Sequence, residues 1–169
     1  IELSDFEATE NVVFLSGVVK NTPIILFTDK KKKKSKVLPT AFKGVAEVQS
    51  METDTTAGEV NITFAVGKAK DYQLVVKSFD LNGMPTTEIQ LDPEDGFAML
   101  NGRLNTISAN CQIMFGTYGY KNTIGTQKGP FSQGIYMTKI NEHEINETKF
   151  YDFTDFKNFF AFLNPKQRV

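Results

Sequence analysis

With 169 residues, 40% of them hydrophobic and 23% charged, and a formal net charge of −1, the chain has the composition of one folded globular domain. That balance excludes intrinsic disorder and lacks the broad electrostatic pull of a nucleic-acid binder or of a binder of anionic membranes. No apolar run approaches the ~20 residues that cross a bilayer as a helix, and a single cysteine, Cys111, cannot close an internal disulfide.

The chain opens Ile1-Glu2-Leu3 without an initiator Met or targeting segment, as expected of a processed product or a piece of a longer protein. Beyond that start the dominant period is two. Apolar runs bounded by turn residues occupy Val12 to Val19, Ile24 to Thr28, Val37 to Thr40 and Val45 to Met51. In Val60-Asn61-Ile62-Thr63-Phe64-Ala65-Val66 the large apolar residues alternate with polar or small ones, which predicts a strand with one face in a core and the other toward solvent. Further strands are predicted at Leu74 to Phe79, Thr86 to Leu91, Arg103 to Ile107, Cys111 to Thr117, Gly134 to Ile140 and Ile145 to Tyr151. Turn chemistry separates them. Asp80-Leu81-Asn82-Gly83 predicts a tight hairpin, Leu100-Asn101-Gly102-Arg103 repeats the same Asn-Gly chemistry, and Leu91 to Gly96 makes a longer connection.

At the end of the chain the period changes. Phe156, Phe159, Phe160 and Leu163 fall at i, i+3, i+4 and i+7 behind Asp152 or Thr154 as an N-cap and ahead of Asn164-Pro165. The expected organisation is a β domain over residues 1–152, an amphipathic helix over 153–164 packed on it, and a tail over 165–169. Two segments also repeat one pattern: Gln73 to Leu91 and Gly134 to Tyr151 each read as an apolar strand, a polar turn and an alternating strand, and each follows a strand with an internal glycine. The fold class expected is all-β, with short antiparallel strands in blade-like four-stranded units, at most three, forming a partial β-propeller. A β-sandwich or barrel is the alternative.

The run Ile113-Met114-Phe115-Gly116-Thr117-Tyr118-Gly119-Tyr120, a polar loop, Ser132-Gln133-Gly134-Ile135-Tyr136 and the Phe-rich terminal segment resemble large exported proteins of Bacteroidota-type bacteria that carry propeller-like blades. The resemblance spans roughly residues 60 to 165. It implies an exported location, periplasmic or outer-membrane associated, with a cytoplasmic address as the alternative, and it carries no activity that transfers.

Residues for catalysis are sparse. The one histidine, His143, stands between Glu142 and Glu144 at a predicted turn, where an exposed turn histidine is a better reading than a metal ligand without partner histidines or cysteines. Cys111 lies in an apolar run and is expected as a small buried thiol. No serine occupies a Gly-x-Ser-x-Gly elbow. Asp92, Glu94 and Asp95 share a loop and offer oxygens to calcium, although their spacing fits an ordinary solvated turn better. No catalytic, cofactor-binding or metal residue is assigned.

Two features point to partners instead. Lys31, Lys32 and Lys33 belong to the basic run Lys30 to Lys36, expected as a solvated hairpin tip able to meet an acidic partner or headgroups. Tyr118, Tyr120, Lys121 and Phe131 flank a Gly-, Thr- and Lys-rich loop and are expected as exposed partner contacts. The function expected is a non-catalytic scaffold or protein-interaction module, bound to a protein partner or to the remainder of a longer chain, with peripheral contact to an outer-membrane complex among the expectations. A glycan or small-ligand binding sandwich or barrel is the second reading, and a glycan-directed hydrolase the third.

Overall fold

Period-two alternation becomes thirteen strands across the described residues of a computed structural model, namely 2–19, 22–42, 46–67, 73–93, 96–108, 110–121 and 132–156. In chain order they are β1 (Glu2–Ala8), β2 (Val12–Val19), β3 (Thr22–Asp29), β4 (Lys34–Leu38), β5 (Ala46–Asp54), β6 (Glu59–Val66) and β7 (Gln73–Asp80). There follow β8 (Pro85–Leu91), β9 (Phe97–Met99), β10 (Arg103–Ser108), β11 (Cys111–Tyr120), β12 (Gly134–Asn141) and β13 (Glu144–Asp152). They form three antiparallel sheets in succession: β1 to β4, β5 to β8, and β10 to β13 with β9 added beside β11. Each sheet is a meander of sequence neighbours, the arrangement that short turns permit.

The sheets stack face to face, and position in the stack explains the burial of each strand. The second sheet lies in the middle, so β6 and β7 are buried almost end to end, which corrects the solvent-facing side expected of β6: Asn61 and Thr63 are only 2% and 1% exposed. Val60, Ile62 and Phe64 of β6 meet Phe14, Ile25 and Phe27 of the first sheet. Ala65 and, from β7, Leu74 and Val76 meet Leu104, Met114 and Tyr136 of the third. Phe14 bridges the first interface, with its ring centroid 5.3 Å from Phe27 and 6.5 Å from Phe79. In the outer sheets the described residues cover only one face, and β12 alternates buried and exposed from Gly134 to Ile140.

The first strands of the three sheets come together, with β5 touching both β1 and β10. Carboxylates bridge these edges: Glu7 Oε2 accepts from Thr53 Oγ1 at 2.8 Å, and Glu52 Oε1 accepts from the Thr106 amide at 2.8 Å. The second bond supplies the acceptor that an edge strand lacks on its open side. A buried cation on β7 is handled similarly, since Lys77 reaches Glu88 Oε2 at 2.9 Å and lies 4.5 Å from the Phe42 ring centroid.

Four-stranded antiparallel units thus match the expectation, and several local expectations change. The Asn82-Gly83 hairpin forms with only Gly83 at positive φ, 69°, while Asp80 Oδ1 accepts the Asn82 and Met84 amides. The turn expected at Leu100 to Arg103 is instead a break in one edge: β9 and β10 both pair with β11, along its two halves. Asn101 spans the break by accepting from the Thr117 amide at 3.0 Å and donating to Thr117 Oγ1 at 2.8 Å. This close approach requires Gly116, where a Cβ would collide with the Asn101 carbonyl oxygen. β1 and β9 were not expected at all. At the C-terminal side Asp152 caps a 3₁₀ turn, Phe153–Asp155, and the expected helical positions Phe159, Phe160 and Leu163 lie outside the described residues.

Candidate interaction surfaces

The outward faces of the two outer sheets each carry an apolar patch. Across the first sheet, register places Phe6 beside Leu15, Leu15 beside Leu26, and Leu26 beside Val37. These four side chains form one cross-strand row on the face opposite Phe14 and Phe27, and its two ends, Phe6 and Val37, are 64% and 60% exposed. Leu3 and Ile24 extend the row along the same face through Gly17. On the third sheet, Phe115 pairs with Met137, and Thr117 pairs with Ile135, which in turn pairs with Tyr151. These residues line a groove of about 820 Å³ together with Arg103 and Phe156.

The residues singled out from the sequence are distributed differently. Tyr118 is a correction: it is only 2% exposed and offers no surface to a partner. Its strand runs on to Tyr120 because β9 pairs there, and alternation turns Tyr118 inward opposite Gly134, whose missing side chain makes room for the ring. Tyr118 packs against Phe97 and Phe150 at 5.1 and 5.0 Å between centroids. Tyr120 is half-buried, with its hydroxyl donating to Asp152 Oδ2 at 3.3 Å. Burial, and then the Asp152 charge, pushes both phenols above the ordinary tyrosine range. Lys121 is exposed, and its amide donates to the Gly96 carbonyl at 2.9 Å. Phe131 lies outside the described residues.

Lys31, Lys32 and Lys33 are exposed in the turn between β3 and β4. Lys32 pairs with Asp29 at 3.2 Å, and the Lys32 amide is the main reason that the Asp29 carboxyl is held below its usual range. Lys36 lies over the Phe27 ring at 5.3 Å. The basic run is therefore a solvated hairpin tip with one internal pair.

The chain matches no protein-family model, no curated protein and no solved structure among those compared.

His143 is exposed in the turn between β12 and β13. Cys111 is partly exposed where a buried thiol was expected, because it opens β11 at the rim of the sheet opposite Asn141. Asp92 is exposed and accepts from the Gln73 and Gln90 amides at 3.2 and 3.0 Å, while Glu94 and Asp95 lie outside the described residues. Among the described residues no group of three or more His, Cys, Asp or Glu is disposed to hold a metal ion, and no helix is long and apolar enough to cross a membrane. The outward sheet faces were the surfaces that sequence reasoning missed. Their signal was present in strands such as Ile135-Tyr136-Met137, where both alternating positions are apolar.

Proposed function

We propose that the chain is a non-catalytic scaffold or interaction module, a run of three blade-like sheets that continues into a larger β assembly through the outer face of its first sheet. The observation that carries this reading is the row Phe6, Leu15, Leu26 and Val37. An antiparallel sheet with a solvated face normally alternates apolar inward and polar outward, and a sheet apolar on both faces is one that is covered on both. The meeting of β1, β5 and β10 supports a blade-like stack, since it gathers the first strand of every sheet along one line. Three blades fall short of the four or so that close a ring, so further sheets belong to a partner or to more of the same protein.

Sedimentation of the purified chain over a concentration series tests this. Association is expected, and Phe6→Asp combined with Val37→Lys abolishes it while leaving the sheet signal in circular dichroism unchanged. A wild-type chain that sediments as a stable monomer throughout removes the reading.

A further inference from the structure

The two ends of the stack present opposite faces. On the third sheet Phe115, Ile135, Met137 and Tyr151 point away from the second sheet, and all four are exposed. On the first sheet the row Phe6, Leu15, Leu26 and Val37 points the other way along the stack. A forward face of one sheet and a rear face of the next already meet at both junctions inside the chain. At those junctions the turns at one end of the sheets also lie side by side. A Cβ on Gly83, in the β7–β8 turn, would meet the Phe27 ring at 2.9 Å, and Asn82 shares a hollow with Lys34 and Lys36 of β4. Asp54 and Ala57, around the β5–β6 turn, share another with Glu142 and His143.

A sheet stacked on the third by the same rule brings its turns against the β12–β13 turn, which is acidic. Glu142 and Glu144 are exposed there and line a hollow of about 500 Å³ with Asn141, Asn146 and one cation, Lys139. The corresponding turn of the first sheet, β3–β4, is the basic tip, where Lys31 and Lys33 are exposed. Stacking a first sheet on a third therefore sets apolar patch against apolar patch and basic turn against acidic turn.

We propose that two copies of this chain close a ring of six sheets, the outer face of each third sheet receiving the outer face of the other copy's first sheet. This rests on the reading of the first-sheet face as an assembly surface and names its partner. Three sheets from each copy make six, within the range of closed propellers, and a twofold axis makes the two new junctions identical. Four strands at the usual ~4.8 Å spacing, each with about six residues of ~3.3 Å, give a face of roughly 400 Å². The four faces involved bury about 1,600 Å² in total, the size of a standard stable interface.

Sedimentation equilibrium of the purified chain is expected to give a species of twice 19.0 kDa and nothing larger as concentration rises. Phe115→Asp with Met137→Asp is expected to dissociate it, as Phe6→Asp with Val37→Lys does, with the sheet signal in circular dichroism retained. Charge reversal provides a second measurement, on exposed turn residues that does not depend on the face variants folding. Glu142→Lys with Glu144→Lys, or Lys31→Glu with Lys33→Glu, is expected to raise the dissociation constant about tenfold, and the chain carrying all four changes recovers most of that loss. Growth beyond two copies overturns the proposal, as does a fourfold variant no tighter than either pair. Association that Phe6→Asp with Val37→Lys abolishes but Phe115→Asp with Met137→Asp leaves intact overturns the ring while the first-sheet reading stands. A wild-type chain that stays monomeric removes both.

Discussion

Glu52 stands where the first strands of the sheets meet, with one oxygen bonded to the Thr106 amide and Oε2 buried without a hydrogen-bond partner among the described residues. Burial is the main cause that raises its carboxyl above the ordinary range, helped by the charges of Asp54 and Glu7 and opposed by the Thr106 bond. The folded protein therefore binds this proton up to a higher pH than the unfolded chain does. Stability falls as pH rises through the interval between the two values, because the folded state must give up a proton it holds more tightly. Glu52→Gln keeps an oxygen for Thr106 and removes the charge. The variant is expected to unfold at higher urea concentration than wild type near neutral pH, and the gap closes as pH falls below the folded value of Glu52. Asp29 and Asp80, held below their ordinary range, lose their contributions as pH falls, but do so equally in both proteins. Urea midpoints of the pair at two pH values check this, and a gap that widens on acidification refutes it.

Turns carry the comparable strain at the level of elements. Glu142 and His143 both adopt left-handed backbone, φ 49° and 67°, between the paired residues Asn141 and Glu144. A two-residue hairpin turn of this kind demands positive φ twice, and neither residue type favours it. Replacing the pair by Asn-Gly is expected to stabilise the protein by about 1–2 kcal/mol, read as a raised thermal midpoint. The same element scale shows what was legible. Strands whose residues alternate apolar and polar, such as Glu88-Ile89-Gln90-Leu91 in β8, announced themselves by that period, and Asn82-Gly83 marked its hairpin. β1 was not legible because a bulge between Leu3 and Asp5 breaks its period and because its inward residues, such as Glu7, are polar. β9 has only three residues, and without it the segment Gly116 to Tyr120 reads as the start of a loop, which is why Tyr118 was expected outside. No local pattern could report Phe97 and Phe150 closing over that ring, since they come from distant strands.

For the molecule as a whole, stability rests on a middle sheet that neither neighbour can replace. Both faces of β6 and β7 are committed, one to Phe14 and Phe27 and the other to Leu104, Met114 and Tyr136. Hydrogen exchange is expected to be slowest at the amides of β6 and β7 and faster in β4 and β13, the outermost strands of the end sheets. Uniform protection across all three sheets contradicts this picture. The stacking order also has a consequence in time. On a ribosome the first sheet is complete when the second emerges, so Val60, Ile62 and Phe64 find their partners at once. Ala65, Leu74 and Val76 do not, because their partners extend to Ile140, and at usual elongation rates the nascent chain waits on the order of several seconds for them. During that pause the half-built protein presents a sticky sheet surface that the finished one never shows, and it is there that a chaperone has its opportunity to bind.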